Sequence, residues 1–287
     1  MSLLRDRMER DMERAGLAPR TRYSYILSIR LLAKFHGRSP DLLSAEDVKA
    51  WDEDLGRRGL SPSTRHIRLA AVRFFFRRTL GRPEVVSGLV LPRRKRRSLP
   101  TVLSPQEVGC LLAALRASRY RAFYALIYDT GLRFSEALHL KVGDIDRRRG
   151  VIHVRQGKGG KDRQVKLGER LYGILRDYWR EERLGKPMAE PPSKESFLFA
   201  SATGGRLSRM GARYALHAAL KETGLAKRVT PHTLRHSFAT AQMEAGTGLP
   251  VVQAQLGHGS IRSTQVYLHV STRLILQAPS PLDALAP

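Results

Sequence analysis

The chain has a single cysteine, Cys110, among 287 residues, so neither an internal disulfide framework nor a cysteine-based zinc site is possible. No apolar run approaches the ~18–20 residues of a membrane span, which excludes an integral membrane protein. The opening Met1-Ser2-Leu3-Leu4-Arg5-Asp6-Arg7 places charges where a secretory signal needs an apolar stretch. A reduced, cytoplasmic protein is expected. Acidic residues are scarce: 26 Asp and Glu stand against 51 Lys and Arg, a net charge of +25. Such an excess calls for a polyanionic partner, nucleic acid being the commonest. The few carboxylates form no metal-binding constellation. Asp144 and Asp146 alternate beside a strand without a third acidic partner, which disfavours a two-metal nuclease.

What is present divides the chain in two. Residues 1–100 hold 23 Lys and Arg against 11 Asp and Glu and read almost wholly helical. Tyr25, Ile26, Ile29, Leu32 and Phe35 recur at helical spacing up to Gly37. Ser44-Ala45-Glu46-Asp47 reads as a capping box opening a helix through Trp51 and Leu55. Ser61-Pro62 starts a third helix with Ile67, Ala70, Ala71 and Phe74 on one face, ending at Gly81. Residues 1–88 are therefore expected to be a small helical domain. A linker over 89–100 carries five consecutive cations, Arg93, Arg94, Lys95, Arg96 and Arg97, as a solvated tether, as a segment lying on phosphates, or as a nuclear address supported by charge alone. Residues 101–287 are expected to be a second domain with a C-terminal tail. It opens at Ser104-Pro105-Gln106-Glu107, where Ser caps and Pro takes the first helical position. Val151-Ile152-His153-Val154-Arg155 and Arg163-Gln164-Val165-Lys166-Leu167 alternate as strands around a Gly- and Lys-rich turn. The fold class is mostly α with a small antiparallel sheet.

Several residues of the second domain could do chemistry, and each also has a plain structural reading. Arg133 begins a helix, where the macrodipole disfavours a cation unless a phosphate also faces it; Glu136, three residues on, could orient its guanidinium. Lys158 and Lys161 lie in the hairpin turn, which lacks the spacing of a Walker A loop. His232 and Arg235 are three apart and share a helical face, with His236 expected to point elsewhere for packing or capping. His258 sits at a helix end flanked by Gly257 and Gly259, and Tyr267 lies on an amphipathic helix. Taken jointly, two arginines, two histidines, a lysine and a tyrosine make a kit for attack on a phosphodiester.

These segments resemble the tyrosine recombinase (phage integrase) family, especially its Xer-type and integron-type members. The resemblance is carried by Thr130-Gly131-Leu132-Arg133 with Glu136, by Gly157-Lys158-Gly159 with Lys161-Asp162-Arg163, by Pro231-His232-Thr233-Leu234-Arg235-His236-Ser237-Phe238-Ala239-Thr240, by Leu256-Gly257-His258, and by Tyr267 nine residues further on. It implies a two-domain, C-shaped clamp on double-stranded DNA, with a SAM-like core-binding domain ahead of the catalytic one. It implies that Tyr267 attacks a phosphate to form a 3′-phosphotyrosyl bond, that Arg133 and Arg235 hold the non-bridging oxygens, and that Lys158 protonates the departing 5′-oxygen. His232 would accept or position the tyrosine proton, His258 would donate to the phosphate, and Glu136 would support the arginines. No metal, ATP or other cofactor is implied, and the basic linker and Lys161 are assigned to DNA.

The implied assembly is a homotetramer on two DNA sites formed from monomers, with a partner or accessory recombinase possible, at the nucleoid. Only 74 residues separate Lys158 from His232, so the integron-type insertion is missing, which points to a compact Xer-like or transposon-borne enzyme. Two rival readings stand beside this one. One is a basic architectural DNA-binding protein that never cuts; the other is a type IB topoisomerase-like enzyme that relaxes DNA with the same tyrosine.

Overall fold

The computed structural model describes residues 3–92, 99–155, 162–184, 193–201, 205–257, 262–265 and 267. It comprises two compact units, Met1–Arg97 and Ser98–Pro287. Among the described residues, no helix is long and apolar enough to cross a membrane.

The first unit is built from α1 (Leu3–Arg14), α2 (Pro19–His36), α3 (Ala45–Arg57) and α4 (Pro62–Phe74), which runs on into a π-helical turn over Phe75–Leu80. Local chemistry sets the ends. Gly37 closes α2 at φ +66°, a left-handed conformation that glycine adopts without steric cost. Ser44 and Asp47 form the reciprocal capping box: the Ser44 amide donates to Asp47 Oδ2 at 2.8 Å and the Asp47 amide to Ser44 Oγ at 3.3 Å. Met8, Met12, Leu32, Trp51, Leu55, Leu69, Val72 and Phe76 fill the core. The buried face of α4 differs in part from the expected one: Ala71 is buried as expected, but the face is turned. Ile67 is exposed and Phe74 only half-buried, whereas Leu69, Val72 and the following Phe76 point inward. At 100° per residue Ile67 and Leu69 lie on nearly opposite sides of the helix. Two apolar stripes compete, and the one continued by Phe75 and Phe76 wins.

The second unit begins with α5 (Pro105–Ala114), opened by the Ser104–Glu107 capping box. Next come α6 (Ser118–Thr130), α7 (Phe134–His139), the short strands β1 (Ile145–Asp146), β2 (Val151–Val154) and β3 (Arg163–Lys166), and α8 (Glu169–Trp179). The last elements are α9 (Arg209–Thr223), α10 (Pro231–Glu244), α11 (Leu249–Leu256) and α12 (Arg262–Gln265). The sheet is antiparallel in the order β1-β2-β3, with Val151 opposite Lys166 and Val154 opposite Arg163. Helix α6 is buried almost all round, from Ala122 to Ile127, and is the central post of this unit. Asp144 braces the loop before the sheet: it accepts from the Lys141 amide at 2.9 Å and from Arg155 Nε at 2.8 Å. The mostly helical fold with one small antiparallel sheet is thus the expected class.

Candidate active site

Two glycines and a short helix create the site. Helix α11 ends at Gly257, which adopts φ +60° and leaves the last carbonyls of the helix without intrahelical donors. Three arginines supply those donors. Arg163 Nε donates to Gln255 O at 2.7 Å, Arg235 Nη2 to Leu256 O at 2.6 Å, and Arg133 Nη2 to Gly257 O at 2.9 Å. Cations at a helix C-terminus are also favoured by the macrodipole. The second glycine, Gly131, ends α6 at φ +65°, and its carbonyl accepts from Arg235 Nη1 at 2.6 Å. A Cβ at Gly131 would lie 2.4 Å from Phe238 and 2.9 Å from Leu256, so only glycine lets α6, α10 and α11 meet this closely.

Glu136 binds the cluster together. Its carboxylate accepts from Arg133 Nη1 at 2.7 Å and, in a bidentate pair, from Arg163 Nη1 and Nη2 at 3.1 and 2.6 Å; Arg235 Nη1 lies 4.0 Å away. The Arg133 amide also donates to Glu136 at 2.8 Å, which caps α7. The macrodipole conflict noted for Arg133 is resolved in this way: its backbone serves the start of α7 while its guanidinium folds across to the far end of α11. Three guanidiniums against one carboxylate leave an excess of positive charge suited to an anion.

Protonation follows from these contacts. The Glu136 side chain is only 8% exposed, and burial alone would raise its pKa. The bonds and charge from Arg163 and the bonds from Arg133 outweigh this and hold it at about 2. Burial, then the charges of Arg133 and Arg163, pull Arg235 down to about 10 against the opposing effect of Glu136, so it remains a cation at neutral pH. A carboxyl depressed from its ordinary 4.5 stabilises the fold fully above pH 4.5, and that contribution is lost as the pH falls toward 2. At ~1.4 kcal/mol per unit the contribution is about 3 kcal/mol. Glu136→Gln is therefore expected to lower stability at pH 7 and to flatten the acid loss, as read by urea unfolding at pH 7 and pH 3.

Tyr267 is buried, 1% exposed, in an apolar seat made with Phe238, Ala239, Met243, Val252 and Leu256. Its hydroxyl lies 2.9 Å from His236 Nδ1. Burial raises the phenol's pKa, while the charges of Arg235 and Arg133 pull it down. His232 is exposed; crowding by the surrounding protein, then Arg235, Arg133 and Arg213, lower its pKa, so the ring is neutral at pH 7.

The structure thus brings Arg133, Glu136 and Arg235 into one cluster. The hydrogen bond expected between Tyr267 and His232 is made in this structure with His236. His236 was expected to point elsewhere, and this is corrected: positions 232 and 236 are four apart and share a helical face. Arg163 is a second residue whose part the sequence reading did not assign. Its signal was available, because on a strand it shares parity with the buried Val165 and Leu167, and an inward cation needs a partner. Lys158, Lys161, His258 and Arg93–Arg97 lie outside the described residues.

Comparison with known proteins agrees with this architecture. Residues 101–273 match the Phage integrase family, and residues 4–84 match its N-terminal SAM-like domain. The Sinorhizobium fredii protein y4qK, an integrase/recombinase by name, is 38% identical over 286 residues, covering 99% of this chain and 90% of its own. The tyrosine recombinase XerD of Oceanobacillus iheyensis is 41% identical over 182 residues, covering 62% of this chain and 60% of its own. Among solved structures, the XerA recombinase aligns at TM-score 0.54 and 26% identity over 96% of both chains. A lambda integrase dimer bound to a core site shares the fold at TM-score 0.70 and 21% identity, over 91% of this chain and 93% of that one. An enzyme of the tyrosine recombinase class, acting in site-specific DNA recombination, is what fold and relatives together define. The chain belongs to the phage integrase family.

Proposed function

We propose that the protein cuts and rejoins duplex DNA through a covalent 3′-phosphotyrosyl link at Tyr267, with both units binding the duplex. The phenolic oxygen forms a bond to the scissile phosphorus, and the bond from phosphorus to the 5′-oxygen breaks. Arg133 and Arg235 hold the non-bridging oxygens, whose negative charge grows in the transition state; planar guanidinium forks suit this better than lysine. His232 accepts or positions the phenolic proton once the hydroxyl leaves its bond to His236. Lys158 gives its proton to the departing 5′-oxygen, His258 donates a hydrogen bond to the phosphate, and Glu136 holds the arginines. A 5′-hydroxyl from a second duplex then attacks the phosphotyrosine in reverse, so the bond energy is conserved without ATP.

The single observation that carries this reading is that Arg133 and Arg235, from separate stretches of sequence, are locked on one helix end, and that the residue after Arg235, His236, lies 2.9 Å from the Tyr267 hydroxyl. Arg93–Arg97 and Lys161 are assigned to the phosphate backbone. Exchange between two duplexes calls for four protomers assembled on two sites from monomers, with an accessory or partner recombinase as an optional participant, in the cytoplasm at the nucleoid. The test is product analysis on a supercoiled plasmid bearing two sites. Recombinant circles are expected; relaxed circles of unchanged sequence order would favour the topoisomerase-like alternative, and intact bound plasmid the architectural one.

A further inference from the structure

We propose that His236 positions the nucleophile: its Nδ1 ties the Tyr267 hydroxyl to α10, the helix that also carries Arg235. The inference deepens the proposed function and rests on Tyr267 being the attacking group.

Four observations support it. The Tyr267 hydroxyl and His236 Nδ1 are 2.9 Å apart, with the two rings tilted by 49° at 5.6 Å between centroids. A buried phenol needs a polar partner, since an unmatched hydroxyl costs about 1–3 kcal/mol. The residue before His236 is fixed at both ends of its guanidinium, by Gly131 O and Leu256 O, so the backbone at this point of α10 is a rigid reference. The same helix supplies Phe238, Ala239 and Met243 to the apolar seat of the tyrosine ring. One rigid element therefore sets the phosphate-holding arginine, the seat of the ring and the direction of its oxygen. That is the arrangement by which a protein fixes a reacting pair in advance rather than paying for its ordering during the reaction.

Nδ1 accepts from the phenol when the imidazole proton sits on Nε2, and donates to the phenolic oxygen in the other tautomer. This makes a sharp substitution series possible. Asparagine places an amide, able to accept or donate, at the position of Nδ1, glutamine places one nearer Nε2, and alanine places none.

The experiment measures single-turnover formation of the covalent adduct on a saturating, nicked suicide duplex, together with duplex affinity and thermal melting of each variant. His236→Ala is expected to lose about 10²-fold in rate, the scale of a misplaced reacting group, with affinity within about twofold. His236→Asn should recover to within about tenfold of wild type, and His236→Gln should stay near the alanine rate. Rescue by asparagine but not glutamine is what a merely structural role would not give. An alanine variant at or above the wild-type rate would overturn the inference, as would a folded asparagine variant no faster than alanine. Failure of the function itself reads differently: adduct would then persist in Tyr267→Phe, whatever happens at position 236.

Discussion

Tyr267→Phe is expected to form no covalent adduct with a nicked suicide duplex while binding it within about twofold of the wild-type affinity. The substitution removes one oxygen and leaves the ring in its seat of Phe238, Met243 and Leu256. Loss of a single buried hydrogen bond changes stability by only about 1 kcal/mol, so the variant should fold. In the proposed mechanism the phenol has no substitute, because the phosphate would be stored as an ester of that oxygen. Denaturing electrophoresis of labelled DNA reads the result: a retarded protein–DNA band in wild type and none in the variant. The same assay separates cutting from mere binding, since an architectural protein would give no band in either.

The second large effect is expected at Arg235. Lysine keeps the charge but not the fork, and a single ammonium cannot serve Gly131 O and Leu256 O at once, each now held at 2.6 Å. Arg235→Lys should therefore slow single-turnover cleavage by about 10²–10³-fold, the scale seen when one preorganised donor to a developing anion is removed. One carbonyl, of Gly131 or Leu256, is also left unmatched beside a side chain that is only 4% exposed, so a stability loss of about 1–3 kcal/mol accompanies it. The two effects are separable. Cleavage is measured at 25 °C, where the variant remains folded by circular dichroism, and stability by urea unfolding. A variant that loses stability but cleaves normally would mean that the fork is structural and the phosphate is held elsewhere.

Much of this architecture could be read from short-range rules. The caps at Ser44 and Ser104, the helix stop at Gly37 and the pairing of residues 151–154 with 163–166 each depend on chemistry within a few residues, and each is found as expected. Arg133, Glu136 and Arg235 were legible for a different reason: each is unremarkable alone, but together with two histidines, a lysine and a tyrosine they form a set suited to a phosphodiester, in segments that resemble one family. The face of α4 was not legible, because Ile67 and Leu69 head two apolar stripes and only tertiary packing chooses between them. The roles of Arg163 and His236 escaped for related reasons. Arg163 needed strand parity to be applied to a charged residue, and His236 needed a contact across 31 residues of sequence that no local pattern encodes. Nor does spacing reveal that the arginines are anchored on the carbonyls of residues 255–257, since a helix C-terminus is visible in sequence but its donors are not.

The most direct test of the central claim is to identify the residue that carries the nucleotide. Adduct formed on the suicide duplex is digested with nuclease and trypsin and analysed by mass spectrometry. Cleavage after Arg262 and Arg273 releases the peptide 263–273, whose one tyrosine is Tyr267. A nucleotide remnant is expected on that peptide, localised to Tyr267 by fragmentation. A remnant on any other side chain, or strand exchange proceeding with no protein-linked nucleotide at any time, would contradict it.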